Sequence, residues 1–342
     1  MPLRTAILTA IALLVAIKLC AAEPPPRPDT IRSAVAKGLK IIQRSATNYP
    51  THRKCFSCHH QSLPVLAIVS ARDHDIEIDA KVLDATMKFS RDFFSRRIKS
   101  MRKGRGVGGA SMTVGYGLWA YDLVGQKAEE TSEAMTEFLL LNQKDDGRWQ
   151  LSSNRPPLEQ SNALTTVMSA YSMQQYATDA QRKRVDAAVK KARKWLSDAK
   201  LESQEDHNAR LWAAHLFGDG AGLIEAREKV IARQRDDGGW GQKADMASDG
   251  YATGQTLWML LETGLPSDNK MVRRAVQRTL TTQLDDGSYY VKSRSKPIQK
   301  FFDNGDPHGT DQFISIAATC WSVAALARSL DAKAVAAEKK TP

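Results

Sequence analysis

The chain is poor in cysteine and in aromatic side chains, with only four Cys and 7% Phe, Trp and Tyr among 342 residues. So little cysteine excludes a disulfide-rich scaffold. After residue 22 no apolar run approaches the length of a membrane span, and no alternating run is long enough for a β-strand. Zinc-finger, RRM and basic-zipper patterns are missing as well. The sequence therefore predicts a helical protein that neither spans a membrane nor binds nucleic acid.

Basic charge is in modest excess, because Lys and Arg number 49 against 38 Asp and Glu, a formal net charge of +11. The basic residues alternate with acidic ones along the whole chain, so they favour anionic partners only in general. Charged residues make up 25% and apolar residues 42% of the chain. This composition excludes a wholly disordered protein and leaves material for a large core.

Residues 1–22 have the organisation of a secretory signal peptide. Arg4 provides the positive start, residues 6–17 form an apolar run too short to cross a bilayer, and small residues precede Glu23. This segment predicts export to the periplasm or the extracellular space. A lipid anchor on Cys20 is the alternative, although the residues before Cys20 fit that signal poorly.

The remaining chain divides into a linker, one long helical domain and a tail. Residues 23–29 are proline-rich and predict a linker that ends at Asp29, a helix-capping residue type. Over residues 30–330 apolar side chains recur three and four positions apart, which is the helical period. Residues 331–342 predict a flexible tail.

A turn motif with the pattern Gln-x-Asp-Asp-Gly-x-aromatic occurs at residues 143–149, 234–240 and 283–289. Each copy ends an amphipathic helix and leads through a polar loop to an apolar helix. The glycine is expected to adopt the left-handed backbone conformation that ends a helix, and the aromatic ring to fold back over apolar surface. The motif therefore predicts repeated helix pairs.

Six apolar helices recur at intervals of roughly 50 residues. They begin near Gln61, Ser111, Ser161, His207, Tyr251 and Asp311. Because these helices are apolar and rich in Trp and Tyr, they belong inside, whereas polar helices such as residues 182–199 belong outside. Six such pairs bury their apolar faces when they close into a ring of inner and outer helices.

The Gln-x-x-x-Gly-x-Trp pattern resembles the QW repeat of squalene–hopene cyclases, whose α/α toroid is shared with the β-subunits of protein prenyltransferases. The resemblance implies an all-α fold, an α/α toroid of about six helix pairs over residues 30–330, with Tyr289 in place of the family's Trp. Class II cyclases protonate an alkene with an Asp-x-Asp-Asp motif, and this chain lacks that string. The resemblance therefore implies the architecture without class II cyclase activity.

The string Cys55-Phe-Ser-Cys58-His59 is the most specific chemical signal in the chain. It matches the attachment motif of haem c, in which Cys55 and Cys58 form thioethers and His59 binds the haem iron. Haem would also imply a redox partner. Two alternatives stay open: a Cys55–Cys58 disulfide that braces the first inner helix, and a zinc or soft-metal site using Cys55, Cys58, His59 or His60.

Polar side chains at the starts of the inner helices are predicted to converge. All inner helices of a toroid point the same way, so their first residues surround one mouth. The candidate ligand-binding residues there are His60, Ser111, His207 and Asp311. They predict a polar rim above an aromatic cavity that binds an apolar or amphiphilic small molecule. The alternative is that these residues only cap helices.

The sequence leaves three functions open. The first is an exported toroid that binds an apolar or amphiphilic ligand and carries haem c. The second is an enzyme, either a cyclase, a transferase or a lyase, on isoprenoid or polysaccharide substrates. It needs an acid in the cavity, and the acids near the inner-helix starts are Asp206, Asp249, Asp306 and Asp311. The third is a protein-interaction scaffold with a Cys55–Cys58 disulfide.

Overall fold

A computed structural model describes residues 26–297 and 300–330. The predicted signal peptide, the first residues of the predicted linker and the predicted tail lie outside these ranges. Within them the regular structure is helical and contains no strand. The α-helices are α1 Pro28–His52, α2 Leu63–Arg72, α3 Ala80–Ser95, α4 Ile98–Met101, α5 Ala110–Leu123, α6 Glu130–Asn142, α7 Asn162–Tyr176, α8 Asp179–Asp198, α9 Gln204–Leu216, α10 Gly220–Ile231, α11 Gly250–Glu262, α12 Lys270–Thr282 and α13 Gln312–Arg328.

Two short helical turns complete the list of elements. A π-helical turn, Cys58–Ser62, leads directly into α2, and a 3-10 turn, Gly309–Asp311, leads into α13. Among the helices of the described residues, none is both long and apolar enough to cross a bilayer.

The helices form two concentric rings. The inner ring consists of α2, α5, α7, α9, α11 and α13, in which each helix packs against the next and α13 packs against α2. The outer ring consists of α1, α3, α6, α8, α10 and α12. The predicted starts of the inner helices lie close to the observed ones, and the largest difference is His207 against Gln204. The predicted all-α toroid of six helix pairs is confirmed.

The first helix begins earlier than the sequence predicted. The predicted linker extends to Asp29, yet α1 begins at Pro28 and holds Asp29 in its first turn. Proline is tolerated at the first helical position, where its missing N–H has no partner within the helix, and a carboxylate is favoured near the positive N-terminal end. The extended segment therefore ends at Arg27.

Each turn motif links its own helix pair to the next outer helix. In the first copy Gly147 has a φ of 99°, and Gln143 Nε2 donates to the carbonyl oxygens of Gly147 and Ala188, both at 2.8 Å. Ala188 belongs to α8, the next outer helix. The Trp149 ring folds back, and its Nε1 donates to the Leu139 carbonyl of α6 at 2.8 Å. The predicted left-handed glycine and folded-back ring are confirmed, and the glutamine bridge is an additional finding.

The other two copies of the motif repeat these bonds. Gln234 donates to Met271 of α12 at 2.9 Å, and Gln283 donates to Ala34 of α1 at 2.8 Å. In the third copy the Tyr289 hydroxyl replaces the indole N–H and donates to a carbonyl of α12 at 3.0 Å. The Gln283 bond joins the last turn to the first helix, so the seam between the chain ends has the same bonds as the two other seams that contain the motif.

Tryptophan fills the axis of the inner ring in the C-terminal halves of its helices. Trp119, Trp212, Trp258 and Trp321 are almost fully buried, and neighbouring ring centroids lie between 5.5 and 6.1 Å apart. These separations are contact distances for aromatic rings. The predicted aromatic cavity is therefore filled by the rings that were expected to line it, because four indoles are bulky enough to meet on the axis.

Candidate ligand-binding site

A segment that we call the strap, which comprises residues 290–297 and 300–311, covers the mouth where the inner helices begin. Near its start, Arg294 donates to the side-chain oxygens of Gln242 and Gln160, both at 2.7 Å. Gln242 lies in the loop before α11 and Gln160 in the loop before α7. These bonds fix one end of the strap to the loops that precede α11 and α7.

The other end of the strap is held by α1 and by the π-helical turn. Arg53 donates to the Lys300 carbonyl at 2.8 Å, and its guanidinium lies 4.5 Å from the centre of the Phe302 ring. Asn304 Nδ2 lies 2.7 Å from His60 Nε2. The strap is thus anchored on opposite sides of the mouth.

A cavity of about 120 Å³ lies beneath the strap, where the π-helical turn and α13 begin. Part of its wall is apolar and part is polar. Its lining residues are Cys58, His59, Arg155, Leu158, Glu159, Ser293, Ser295, Lys296, Pro297, Phe301, Thr310, Phe313 and Ile314. An apolar cavity of about 150 Å³ in another protein holds benzene, so this cavity has the size of a small ring.

Cys58 and His59 bring a thiol and an imidazole to the cavity wall. His59 Nδ1 lies 3.1 Å from Ser57 Oγ and 3.5 Å from Cys58 Sγ. Burial, followed by the charge of Arg155, lowers the pKa of His59 to about 3. Burial, followed by the charge of Glu159, raises the pKa of Cys58 to about 12. Both groups are therefore uncharged at neutral pH, and they act as hydrogen-bonding groups and not as an activated nucleophile pair.

His60 anchors the strap and does not line the cavity. It is fully buried, and its ring stacks on Tyr49 with 4.3 Å between the ring centroids. Because the amide of Asn304 is a donor, His60 Nε2 accepts, which assigns the imidazole proton to Nδ1. Burial, followed by His59, lowers the pKa of His60 well below its usual value. The neutral ring therefore keeps its bond to the strap over the physiological pH range.

The predicted haem motif does not form a haem-sized slot in this conformation. Cys58 and His59 line the cavity but Cys55 does not, because its Sγ lies 3.1 Å from the Tyr49 hydroxyl. Cofactor sites measure roughly 300–1,000 Å³, and this cavity has about 120 Å³. Cys55 and Cys58 carry free thiols, and the described part of the chain groups no three His, Cys, Asp or Glu side chains as metal ligands.

None of the four predicted mouth residues lines the cavity. Besides His60, Ser111 is buried in the first turn of α5. Asp311 accepts a hydrogen bond from the Tyr290 hydroxyl at 2.9 Å, which joins the two ends of the strap. His207 lines a groove between α8, α9 and α10, where burial, followed by the charge of Arg233, lowers its pKa to about 4. His59 and Thr310, the neighbours of His60 and Asp311, line the cavity instead, since side chains one position apart point in different directions.

The acids that the sequence offered as catalytic candidates have structural roles or lie elsewhere. Asp206 accepts from the Ser203 N–H and Asp249 from the Ala252 N–H, both at 2.9 Å, so they cap α9 and α11. Asp306 is buried within the strap, where burial raises its pKa to about 7. None of these acids lines the cavity.

Another buried acid, Glu205, was not among the predicted candidates. It lies in the first turn of α9 and is 5% exposed. Its Oε1 accepts from the Tyr251 hydroxyl at 2.7 Å and from Gln255 Nε2 at 2.9 Å. Burial raises its pKa to about 8 against the lowering effect of these bonds, so it is protonated at neutral pH. The sequence does carry a signal that Glu205 is buried. It lies seven positions, or two helical turns, before Trp212, and so on the same face of α9 as that buried ring.

Comparison with known proteins supports the fold. No protein-family model and no curated protein matches the chain. The type II terpene cyclase MstE from Scytonema is 14% identical over 88% of this chain and 98% of its own, with a TM-score of 0.56. An MstE variant in complex with geranylgeranyl dihydroxybenzoate, its substrate, has a TM-score of 0.54 at 14% identity, over 89% of this chain and 99% of its own.

A second kind of enzyme has the same architecture. Unsaturated glucuronyl hydrolase from Bacillus sp. GL1 is 12% identical over 86% of this chain and 96% of its own, with a TM-score of 0.56. At such low identity these similarities establish the fold alone. The chain is an α/α toroid similar in architecture to terpene cyclases and to a glycosaminoglycan-degrading hydrolase.

Proposed function

We propose that this protein binds an uncharged apolar or amphiphilic small molecule and holds a ring-sized part of it beneath the strap. The observation that carries the proposal is a cavity of about 120 Å³ whose wall is apolar at Leu158, Phe301 and Phe313 and polar at His59. Small-molecule sites combine apolar walls with a few placed polar groups. The complex of MstE with geranylgeranyl dihydroxybenzoate agrees with an amphiphilic ligand in this fold.

The charges around the cavity favour a neutral ligand. Arg155 and Glu159 form an ion pair through two hydrogen bonds, so their charges compensate each other. Lys296 also lines the cavity, but its side chain is exposed, so water and salt screen its charge. An anionic ligand has to compete with Glu159 for Arg155, whereas a neutral ligand needs only a hydrogen bond to the uncharged His59.

Replacing Leu158 by Trp tests the proposal. Leu158 is 6% exposed and lines the cavity, so the larger ring takes up the space that a ligand needs. The probe is cyclohexanone, and saturation-transfer NMR measures its binding. We expect saturable binding to the wild type and a loss of roughly tenfold or more in Leu158→Trp.

The matched control is Leu141→Trp, because Leu141 lies on the outer helix α6 and is 50% exposed. This variant should bind the probe like the wild type, and thermal unfolding of all three proteins checks that they are folded. Equal binding by Leu158→Trp and the wild type contradicts the proposal, as does a wild type without saturable binding.

An enzyme is the second candidate function, and Glu205 favours it. A carboxyl group with a pKa of about 8 is able to donate a proton at neutral pH. The test is incubation of the wild type and Glu205→Gln with isoprenoid and polysaccharide substrates, followed by mass spectrometry of the products. Turnover by the wild type that Glu205→Gln lacks supports the enzyme, and a wild type without turnover on either class contradicts it.

Haem at Cys55, Cys58 and His59, a redox partner and export are proposals that rest on the sequence. The test is the intact mass of the full chain expressed in a bacterium that attaches haem c in its periplasm. Cleavage after residue 22 supports export. The added mass of one haem, with a Soret band, supports the haem site, whereas the loss of two hydrogens supports the Cys55–Cys58 disulfide.

A further inference from the structure

A groove of about 380 Å³ lies between α8, α9 and α10, away from the mouth cavity. Each of the three helices contributes apolar side chains to its wall, among them Leu196, Ala213 and Ala226. An apolar cavity of about 150 Å³ holds benzene in another protein, and small-molecule sites measure roughly 300–1,000 Å³. The groove therefore has room for a molecule larger than a single ring.

The groove lies at a seam that the turn motif does not bridge. At three other seams the motif glutamine at the end of an outer helix donates to a carbonyl of the next outer helix. The motif glycine lies close against the backbone of that same helix. The residues that follow α8, positions 199–203, contain no such motif. The end of α8 therefore has no turn that packs onto α10, and the space between them stays open as the groove.

Three cationic side chains line the groove, one from each helix: Arg193, Arg210 and Lys229. The Arg193 guanidinium lies 5.8 Å from the centre of the Phe217 ring. Arg210 is half-buried, and its Nη2 donates to the Ala199 carbonyl at 3.2 Å. Among the residues that the structure describes, neither arginine forms an ion pair. Because charges removed from water are normally paired, these two guanidinium groups favour an anion in the groove.

Two acids also line the groove, and each is engaged by another group. Glu225 Oε1 pairs with Lys229 Nζ at 2.5 Å, one turn further along α10. Asp219 Oδ1 accepts from the Gly222 N–H at 3.0 Å and so caps α10. Three cationic side chains stand against two acidic ones, so the lining has one positive charge in excess.

His207 adds a neutral hydrogen-bonding group to the same groove. Burial, followed by the charge of Arg233, lowers its pKa to about 4, and Lys229 and Arg210 act in the same direction. Asp206 alone acts against them. The electrostatic potential at His207 is therefore positive, and its uncharged imidazole still has one N–H to donate to an anion.

We propose that this groove is a second ligand site, which binds a carboxylate that carries an apolar body. The planar guanidinium of Arg210 matches the two oxygens of a carboxylate, and Arg193 adds a second positive charge. The apolar body lies along the wall formed by Leu196, Ala213 and Ala226. No residue lines both the groove and the mouth cavity, so this site does not depend on the one proposed beneath the strap.

Three probes test the two parts of the proposed ligand. The anion 2-naphthoate and the neutral 2-naphthamide have nearly the same shape, and acetate carries the carboxylate without the ring system. NMR titration measures the affinity of the wild type for each probe. Because hydrogen bonds to charged groups are the stronger ones, we expect 2-naphthoate to bind roughly 10- to 100-fold more tightly than 2-naphthamide. Acetate should bind at least about tenfold more weakly than 2-naphthoate, since it buries almost no apolar surface.

Arg210→Gln removes the central charge of the site. We expect it to bind 2-naphthoate roughly tenfold or more weakly and 2-naphthamide like the wild type. The matched control is Arg227→Gln, because Arg227 of α10 is also half-buried and also donates to one backbone carbonyl, that of Thr263, but does not line the groove. Both substitutions remove one positive charge and one hydrogen bond, so a difference between them reports on the groove.

Arg193→Gln is a second variant, since Arg193 is exposed and its replacement leaves the fold intact. It should weaken the binding of 2-naphthoate by roughly two- to fivefold. Thermal unfolding of every variant checks that it is folded.

The outcomes separate the groove from the mouth cavity. Leu158→Trp should leave the binding of 2-naphthoate unchanged, because Leu158 lines only the mouth cavity. Equal affinity of the wild type for 2-naphthoate and 2-naphthamide overturns the carboxylate site, and equal affinity for acetate overturns the apolar part. Equal losses in Arg210→Gln and Arg227→Gln place the binding elsewhere and overturn the proposal, as does a wild type that binds no 2-naphthoate saturably.

Discussion

Glu205 and Asp206 are neighbours in the sequence, yet their surroundings give them opposite roles. Glu205 lies on the buried face of α9, where burial raises its pKa to about 8. Asp206 accepts from the Ser203 N–H at 2.9 Å and from the Ser161 hydroxyl at 2.6 Å. A carboxylate that accepts several hydrogen bonds makes a good helix cap, whereas a carboxyl group removed from water keeps its proton.

The buried carboxyl group of Glu205 should make the free energy of unfolding depend on pH. Its pKa is about 8 in the folded protein against an ordinary value of 4.5. As the pH rises, the unfolded chain loses the Glu205 proton at a lower pH than the folded protein does. The stabilisation by the protonated Glu205 is therefore complete below pH 4.5 and is lost as the pH rises towards 8. Relative to Glu205→Gln, the wild type should become less stable across this interval. Urea unfolding at about pH 5 and about pH 8 measures the difference, and a constant difference contradicts the prediction.

Cys55 and Cys58 should differ in reactivity. Cys55 is exposed, whereas burial, followed by Glu159, raises the pKa of Cys58 to about 12. Because the thiolate is the reactive form, Cys55 should react with iodoacetamide at least about tenfold faster near pH 8.

Single variants separate the two rates. Cys55→Ser reports on Cys58, Cys58→Ser reports on Cys55, and Cys320 is buried in both. Intact-mass measurements over time give the rates. A reaction at Cys58 as fast as that at Cys55 would contradict the raised pKa of the Cys58 thiol.

At the scale of elements, the turn motif joins neighbouring helix pairs at three places in the ring. The left-handed glycine and the folded-back ring were predictable from the sequence because both depend on a few neighbouring residues. The glutamine bridge was not predictable, because the second acceptor of Gln143 is the carbonyl of Ala188, 45 positions away on the next outer helix. The same holds for the strap, whose anchors lie on other loops and helices.

The glycine of the third turn should be far less tolerant of a side chain than a free turn glycine. Gly287 has a φ of 93°, and a Cβ there would lie 2.5 Å from the backbone carbon of Lys37 in α1. Gly264 has a φ of 85° with no atom within 4 Å of the same position. We expect losses in the free energy of unfolding of about 1 kcal/mol for Gly264→Ala and about 2–4 kcal/mol for Gly287→Ala. Urea unfolding measures both, and equal losses would mean that α1 does not press on the turn.

At the scale of the whole molecule, closure distinguishes this ring from an open helical array. Gln283 of the last turn bonds to Ala34 of the first helix, and α13 packs against both α1 and α2. An open array leaves its terminal repeats with one uncovered face, which a polar surface has to cap. Here every helix pair has a neighbour on both sides.

Closure predicts that the seam between the chain ends is as strong as an internal seam. Gln283→Ala and Gln143→Ala each remove two hydrogen bonds from part-buried carbonyl groups. We expect each variant to lose about 1–3 kcal/mol in the free energy of unfolding. Urea unfolding compares them, with Gln234→Ala as a second internal seam. A much smaller loss for Gln283→Ala than for the other two would indicate that the ends separate in solution.

The sequence by itself determined the helical repeat, the six helix pairs and the conformation of the turns. Each of these depends on the period of apolar residues or on a few adjacent positions, so local physical chemistry is sufficient. Only the tertiary structure decided that His59 lines the cavity while His207 lies in an outer groove, that the tryptophans fill the axis, and that Glu205 keeps its proton. These properties arise from side chains on distant helices and from burial that exists only once the ring has closed.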